Sequence, residues 1–262
     1  FHIKKRSLCL KIYHLKRIFV AFMNDTIVLI PVRLQASRFP NKPFAKIGNL
    51  PMLHYVFNAA SKSGFDVYLA ICDDEIIDYC KEYNLPFIIT DSNHPSGSDR
   101  IGEAITKIEK NLNYEFIINV QGDMPFITES YIMLLREKLT SYRMTTLACP
   151  FVDIKEATNT SKVKVKINEK DNTALDFTRS LNASKNINKS IFHHIGIYGF
   201  QKDFLKEYIS LPTSVREKEE KLEQLRVIDK VKIHVTKISE EILGVDTIED
   251  LDRVNKLIQK ND

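Results

Sequence analysis

The sequence predicts an α/β fold in which helices flank a mostly parallel central sheet. From Thr26 onward, short apolar runs alternate with amphipathic segments, which is the pattern of parallel strands covered by helices. After Pro150 the pattern changes, because "KVKVKIN" alternates strictly between polar and apolar residues. Strict alternation is typical of half-exposed strands. The second part of the chain is therefore expected to add a small antiparallel lobe to the parallel sheet.

The first part of the chain divides into alternating strands and helices. Apolar runs such as "TIVLIP" and "FIINV" predict strands at 26–31, 66–71, 87–89, 116–120 and 145–151. Amphipathic periodicity predicts helices at 51–63, 74–84, 98–110 and 128–140. Ligands of open parallel sheets bind at the carboxyl edge, where loops and helix N-termini meet. Functional side chains are therefore expected directly after the strands.

The second part of the chain is predicted to contain further strands and two helices. The strands are "KVKVKIN", "HHIGIYGF" and "KIHVTKI". The segment "REKEEKLEQLRVIDK" is predicted to be one charged helix with Leu222, Leu225 and Ile228 on its buried side. The segment "TIEDLDRVNKLIQK" is predicted to be a closing helix, since Thr247 and Asp250 have the spacing of a capping box.

Residues 1–22 differ in composition from the rest of the chain. They contain six basic residues and no acidic ones, so the remainder holds 32 of the 38 basic residues against 34 acidic ones. We expect 1–22 to be a basic extension outside the fold, or alternatively a targeting presequence. Residues 23–262 are expected to form one domain with an inserted lobe at about 151–235. A basic surface for nucleic acid would be confined to the extension, so we expect no nucleic-acid partner for the domain.

Composition also predicts the compartment. No apolar run approaches the roughly 20 residues that span a membrane, so membrane insertion is not expected. The four cysteines contain no CxxC pair, and we interpret them as small hydrophobic residues of a reducing cytoplasm.

The stretch "IPVRLQASRFPNKP" places Arg33, Arg38 and Lys42 in the loop after the first strand. A solvated surface turn is one interpretation of this loop. Exposed ion pairs stabilise a protein by only about 0 to 1 kcal/mol, whereas two guanidinium groups and an ammonium on a proline-stiffened loop suit a polyphosphate. The sequence has no GxxxxGK[ST] and no GxGxxG, so the common phosphate-binding loops are excluded.

A second candidate site is "NVQGDMP", in which Asp123 follows a predicted buried strand and Gly122 permits a tight turn. Mg²⁺ often binds one or two carboxylates together with substrate phosphates. Asp246, just before the predicted cap Thr247, is the best candidate for a second carboxylate. Both acids have a simpler interpretation, since aspartates cap turns and complement helix dipoles. Spacing in the sequence cannot decide whether the two acids meet.

Several blocks together resemble one known family. In order they are "IPVRLQASRFPNKPFAKIGNLPMLHYV", "HPSGSDRIGEA", "NVQGDMP", "HHIGIYGF", "KLEQLRV" and "GVDTIEDLDRV". This order is similar to that of the 3-deoxy-manno-octulosonate cytidylyltransferases, or CMP-Kdo synthetases, from about Thr26 to the C-terminus. The resemblance implies a glycosyltransferase-A-like nucleotidyltransferase that activates the acid sugar 3-deoxy-D-manno-octulosonate (Kdo) with CTP for lipopolysaccharide biosynthesis. It also implies a homodimer.

The resemblance also implies roles for individual residues. Asp123 and Asp246 match the family's magnesium ligands, and Arg38 and Lys42 would stabilise the leaving pyrophosphate. The residues implied to bind CTP are Arg33, Ser37, Arg38, Lys42, Ser96, Ser98 and Arg100. The residues implied to bind the sugar are Gln121, Arg179, His194, Tyr198, Glu223 and Gln224. Three positions depart from the family pattern, because Met124 replaces a usual glutamate, His193 a usual arginine and Ile248 a usual proline.

Two alternatives to this assignment stay open at the level of sequence. The first keeps the chemistry and changes the acid sugar to 8-amino-Kdo or a nonulosonate. The second is a catalytically silent nucleotide-binding module, in which the loop cations hold a phosphate and the two aspartates only cap turns.

Overall fold

The computed structural model describes residues 25–34, 39–109, 112–153, 156–180 and 190–259. The strands in this part of the chain are β1 (Thr26–Pro31), β2 (Lys46–Ile47), β3 (Leu50–Pro51), β4 (Asp66–Ile71), β5 (Phe87–Ile89), β6 (Phe116–Asn119), β7 (Met144–Cys149), β8 (Lys164–Ile167), β9 (Ala174–Thr178), β10 (Ile191–Gln201) and β11 (Ile233–Lys237). The α-helices are α1 (Met52–Ser61), α2 (Asp74–Glu82), α3 (Gly97–Ile108), α4 (Glu129–Lys138), α5 (Lys202–Ser210), α6 (Val215–Glu220) and α7 (Ile248–Ile258). Short 3-10 helices span Lys42–Phe44, Glu156–Thr158 and Glu223–Arg226.

Nine of these strands form one large mixed sheet, whose main path has the order β11-β7-β10-β6-β1-β4-β5, and β2 and β3 form a separate two-stranded antiparallel sheet. Strands β6, β1, β4 and β5 run parallel to one another, and β11 runs parallel to β7. Strand β10 is antiparallel to both of its central neighbours, β6 and β7. The predicted class, a mostly parallel sheet flanked by helices with an antiparallel addition, is confirmed.

The antiparallel addition grows out of β10. The first residues of this strand pair with β8, and β8 pairs with β9. The same strand then passes an irregularity between Ile195 and Tyr198 and continues between β6 and β7. The long strand β10 therefore belongs both to the lobe and to the centre of the sheet.

Hydrophobic side chains cover both faces of the sheet. Val28 and Ile30 of β1 lie in the core on one face, and Ile27 and Leu29 lie in the core on the other face. All four are fully buried. This alternation follows from the two-residue period of a strand. Among the described residues, no helix combines the length and apolarity needed to cross a bilayer.

Most predicted elements are confirmed, but the single charged helix at 216–230 is wrong. Helix α6 ends at Glu220, Lys221 takes a left-handed conformation with φ 53°, and a 3-10 turn follows at Glu223–Arg226. Leu222 and Leu225 are buried as predicted. The turn at Lys221 lets Leu222, Leu225 and Val227 enter the core and brings Arg226 back against Glu217 as a buried ion pair.

Candidate active site

The two predicted acids meet at the carboxyl edge of the parallel strands. Asp123 follows β6 and Asp246 precedes α7, and the amide of Val245 donates to the carbonyl of Asp123 at 2.9 Å. The Lys42 ammonium donates to Oδ2 of Asp123 at 2.6 Å and to Oδ1 of Asp246 at 3.3 Å. Lys42 also donates to the carbonyl of Val245 at 3.0 Å. Three segments that are distant in sequence thus converge on one ammonium group.

The helix cap beside Asp246 fixes this convergence. The capping box of α7 is complete, because Thr247 accepts from the amide of Asp250 and the Asp250 carboxylate accepts from the amide of Thr247. The same carboxylate accepts from the amide of Asp246 at 3.1 Å. The predicted cap is confirmed, and it orients the backbone that carries Asp246.

Gly122 is required for space beside Asp123. A Cβ atom at Gly122 would lie 3.0 Å from Cγ2 of Val32 and 3.2 Å from the carbonyl oxygen of Pro31. The glycine therefore allows the turn after β6 to approach the end of β1, where the cationic loop begins.

A cavity of about 320 Å³ opens beside these groups. Its lining includes Arg33, Lys42, Ser96, Arg100, Gln121, Asp123 and Asp246, all of which the sequence predicted as site residues. Ser37 and Arg38 lie outside the described residues, so their predicted roles stay predictions. The cavity is the only place where the cationic loop, the two acids and the "HPSGSDR" block all contribute side chains among the described ranges.

The charge of Lys42 is maintained by its two acidic neighbours. Burial alone would lower the pKa of Lys42, but Asp123 and Asp246 outweigh this effect and raise that pKa. Lys42 therefore remains an ammonium ion, which suits both an ion pair with carboxylates and a contact with phosphate.

The residues of the "HPSGSDR" block differ in how directly they face the cavity. Ser96 is the N-cap of α3 and accepts from the amide of Asp99. The Arg100 guanidinium is buried and donates to Thr90 Oγ1 at 2.6 Å and to the carbonyl of Asp91 at 3.0 Å. Ser98 is fully buried and accepts from Asn119 at 3.2 Å. Arg100 and Ser98 thus make structural contacts in this structure, and their predicted contacts with nucleotide stay predictions.

The residues predicted to bind the sugar form a second group beside α3. Tyr198 donates to Oε1 of Gln224 at 2.9 Å, and Nε2 of Gln224 is buried without a hydrogen-bond partner in the described structure. The rings of His194 and Tyr198 are 5.7 Å apart. Glu223 accepts from the amide of Ser98 at 3.2 Å, which connects this group to the cavity.

Burial keeps the imidazole and phenol of this group uncharged. Desolvation lowers the pKa of His194 to about 3. Desolvation, followed by the charge of Glu223, raises the pKa of Tyr198 well above its ordinary value. At neutral pH both side chains are therefore neutral hydrogen-bonding groups, as contacts with sugar hydroxyls require.

Arg179 lies at the edge of this second group. Its Nε donates to the carbonyl of Glu220 at 2.8 Å, and its terminal nitrogens make longer contacts of 3.4 to 3.5 Å with the carbonyls of Thr160, Ser161 and Lys221. The guanidinium is thus held by its inner nitrogen, while its outer nitrogens are weakly bonded. A carboxylate is the natural ligand for such a fork.

Two acidic side chains that shape the site, Glu103 and Asp99, were not among the predicted site residues. His94 lines the cavity, and its Nε2 contacts Glu103 on α3. Asp99 is buried and is paired with Arg226 across 127 residues of sequence. Glu103 lies only nine residues after His94, but Arg226 is 127 residues from Asp99, and no local spacing indicates that pair.

The fold and the site together define a nucleotidyltransferase, with a cationic loop and paired acids at the carboxyl edge of a mostly parallel sheet. The sequence model of the family described as "Cytidylyltransferase" matches residues 27–236. The chain belongs to this family and, within it, to the 3-deoxy-manno-octulosonate cytidylyltransferases.

Individual relatives support this membership. The 3-deoxy-manno-octulosonate cytidylyltransferase of Bartonella bacilliformis is 35% identical over 88% of this chain and 98% of its own length. That of Francisella tularensis is 37% identical over 88% of this chain and 97% of its own length. The structure of a CMP:2-keto-3-deoxy-manno-octonic acid synthetase complexed with CTP superposes with a TM-score of 0.82 and 31% identity, covering 90% of this chain and 99% of that one.

A second solved structure shares only the fold. The 4-diphosphocytidyl-2C-methyl-D-erythritol synthase of Anaerococcus prevotii has a TM-score of 0.60 at 14% identity, covering 89% of this chain and 98% of that one.

Proposed function

We propose that this chain transfers the cytidylyl group of CTP to the anomeric hydroxyl of Kdo, giving CMP-Kdo and pyrophosphate. The observation that carries the proposal is the convergence of Asp123 and Asp246 on Lys42 in the cavity beside Arg33. This arrangement places acids and cations where a triphosphate and its counter-ion would bind. The relatives of the chain are named for the same reaction.

In this proposal Lys42 and Arg33 bind the phosphates of CTP, with Ser37 and Arg38 of the same loop. As the sugar oxygen forms its bond to the α-phosphorus and releases its proton to solvent, the bond from that phosphorus to the pyrophosphate oxygen breaks. Lys42 and Arg38 stabilise the negative charge that develops on the leaving pyrophosphate.

Asp123 and Asp246 are the residues that would hold Mg²⁺. Their oxygens share one ammonium in this structure, and carboxylate oxygens are the ligands that this hard cation prefers. In the described ranges, no group of three or more His, Cys, Asp or Glu side chains has an arrangement that could hold a metal ion. Two carboxylates fit Mg²⁺ because nucleotide phosphates and water complete its coordination. When bound, the ion would neutralise phosphate charge and lower the pKa of the attacking hydroxyl.

The acid sugar would bind in the second group of residues. Its carboxylate suits the outer nitrogens of Arg179, and its hydroxyls suit His194, Tyr198, Glu223, Gln224 and Gln121. The unpartnered Nε2 of Gln224 supports this assignment, because a buried amide donor without a partner costs about 1 to 3 kcal/mol. A sugar oxygen would satisfy this donor.

We further propose that the enzyme works in the cytoplasm as a homodimer. Among the described residues, Cys72, Cys80 and Cys149 are free thiols, which is in line with a reducing compartment.

The proposal is tested by pyrophosphate release from CTP, Kdo and Mg²⁺. The native chain is expected to turn over, whereas Asp123→Asn and Asp246→Asn are expected to lose at least about 100-fold in kcat. Asp252→Asn is the matched control, because Asp252 is exposed on α7. Native CTP binding without pyrophosphate release would overturn the proposal in favour of a silent nucleotide-binding module.

The identity of the sugar is tested in the same assay. Kdo is expected to give a higher kcat/KM than 8-amino-Kdo or a nonulosonate. An equal or higher kcat/KM with either of these sugars would overturn the assignment of Kdo as the substrate.

A further inference from the structure

A buried ion network joins α3, which begins at the nucleotide cavity, to the turn that carries Glu223 and Gln224. Nη1 and Nη2 of Arg226 donate to Oδ1 and Oδ2 of Asp99 at 2.7 and 2.9 Å. On its other side Arg226 donates from Nε to Oε2 of Glu217 at 2.9 Å and from Nη2 to Oε1 at 2.6 Å. The exposed fractions of the Arg226, Asp99 and Glu217 side chains are 2%, 10% and 7%.

The network begins at a residue that lines the cavity. Ser96 donates to Oδ2 of Asp99 at 2.6 Å. Burial alone would raise the pKa of Asp99, but hydrogen bonds from Arg226 and Ser96 hold that pKa below its usual value. Asp99 is therefore charged at neutral pH, and the contact with Arg226 is a true ion pair.

A second contact runs beside the first, because the amide of Ser98 donates to Glu223 at 3.2 Å. Arg226 also lies 4.5 Å from the ring centre of Tyr208, and the Tyr208 hydroxyl donates to the carbonyl of Glu223 at 2.7 Å. The turn Glu223–Arg226 is thus fixed at both of its ends, to α3 on one side and to α5 on the other.

Stability alone is a weak explanation for this network. Desolvating three charged groups costs free energy that their attraction repays only with good geometry, and apolar replacements of buried ion pairs are often neutral or stabilising. The bidentate geometry of an arginine and a carboxylate does fix orientation strongly. Glu223 and Gln224 lie three and two residues before Arg226 in the same 3-10 turn, so the orientation of Arg226 also sets theirs.

We propose that Arg226 is a positioning residue for acceptor binding. It holds the turn of Glu223 and Gln224 in register with the start of α3, so that the acid sugar is presented correctly to the bound nucleotide. The proposal rests on the function proposed above, since it assigns that turn to the sugar. Among the described residues, Arg226 contacts Asp99, Glu217 and Tyr208, and contacts neither the described part of the cationic loop nor the paired acids. It reaches a residue implied to bind CTP through the hydrogen bond from Ser96 to Asp99. Loss of the Arg226 fork is therefore expected to weaken Kdo binding more than CTP binding.

The test compares the two substrates in Arg226→Lys, which keeps the charge and loses the fork. The affinity for CTP is measured by calorimetry without sugar, and the KM for Kdo is measured by pyrophosphate release at saturating CTP. We expect the KM for Kdo to rise at least fivefold, and by at least three times the factor by which the Kd for CTP changes. A smaller rise in the KM for Kdo, or a smaller ratio of that rise to the change in the Kd for CTP, overturns the proposal.

Two further variants separate positioning from stability. Glu217→Gln removes one charge of the network and keeps an N3 side chain that can complete the capping box of α6. It is expected to show the same selective rise in the KM for Kdo, by at least twofold. Arg216→Lys is the matched control, because Arg216 lies on the same helix and pairs with Asp176 at the surface. It is expected to leave both constants within a factor of 1.5.

The outcomes for this proposal and for the proposed function are distinct. Lower melting temperatures with native constants for both substrates would assign the network to stability alone. A native chain that turns over no acid sugar would remove the proposed function and this inference with it. If the native chain turns over Kdo but Arg226→Lys does not raise the KM for Kdo selectively over the Kd for CTP, only the inference is overturned.

Discussion

The ammonium of Lys42 lies 2.6 Å from Oδ2 of Asp123. It also contacts Asp246, so one cation is shared by two carboxylates that are distant in sequence. A pair of unit charges about 4 Å apart in a partly screened cleft is worth roughly 4 kcal/mol. Lys42 therefore competes with any divalent cation for the oxygens of these two acids.

The first prediction follows from this competition. Lys42→Met is expected to bind Mn²⁺, as a spectroscopic substitute for Mg²⁺, at least threefold more tightly in the absence of nucleotide. The same variant is expected to lose about 100-fold or more in kcat, since it lacks a cation for the leaving pyrophosphate. Titration of free Mn²⁺ by electron paramagnetic resonance measures the first effect, and pyrophosphate release measures the second.

Lys46→Met is the control for this prediction, because the Lys46 side chain is exposed on β2. It is expected to change neither the Mn²⁺ affinity nor kcat. Weaker Mn²⁺ binding by Lys42→Met than by the native chain would mean that Lys42 supports the ion instead of competing with it.

The second prediction concerns the cap that orients Asp246. Thr247→Ala removes the acceptor for the amide of Asp250 and is expected to lower the free energy of unfolding by about 1 kcal/mol. Thr247→Ser keeps the hydroxyl and is expected to retain most of the native stability. Urea unfolding of the three proteins measures both differences, and equal losses in the two variants would contradict a role for the hydroxyl.

The fold could be predicted from the sequence where periodicity is strong. The predicted strands at 26–31, 66–71 and 87–89 coincide with β1, β4 and β5. The segment at 216–230 failed, because its helical pattern of leucines continues across Lys221 while the backbone does not. The turn instead buries Leu222, Leu225 and Val227 and brings Arg226 against Glu217, and a tertiary pairing of that kind leaves no local periodicity.

The site could be predicted where it consists of residue types in loops after strands. Asp123 and Asp246 were candidates on that ground, but their meeting depends on the register of the sheet and on the hydrogen bond from Val245 to Asp123. The pairing of Asp99 with Arg226 could not be predicted either, because it also depends on the tertiary structure. Burial of a charged side chain is a tertiary property, and the sequence around Asp99 reads only as an acid in the first turn of a helix.

The third prediction concerns residues 1–22, whose expected position outside the fold stays a prediction. A chain that begins at Met23 is expected to keep the native melting temperature within about 2 °C, because a segment without packing contacts contributes little to stability. Its kcat and both KM values are expected to be native. Calorimetry and the pyrophosphate assay measure these quantities, and a substantial loss of stability would place part of the extension within the fold.

The fourth prediction concerns pH and the buried imidazole of His194. Burial lowers the pKa of His194 to about 3 from an ordinary value of 6.5. Between these values the unfolded chain binds a proton that the folded chain does not, so protonation favours unfolding. The stability contributed by the neutral imidazole is complete above pH 6.5 and decreases as the pH falls toward 3. The slope for one such group reaches about 1.4 kcal/mol per pH unit.

His194→Gln removes this proton-binding group and keeps polar atoms that can bond the hydroxyl of Thr146, the present partner of Nε2. Urea unfolding at pH 7, 6, 5 and 4 is the measurement. The native chain is expected to lose its advantage over the variant steadily below pH 6.5, because only the native chain gains this proton on unfolding. Acidic groups common to both proteins cancel in the comparison. Parallel stability curves over this range would show that His194 is already protonated in the folded state or has an ordinary pKa there.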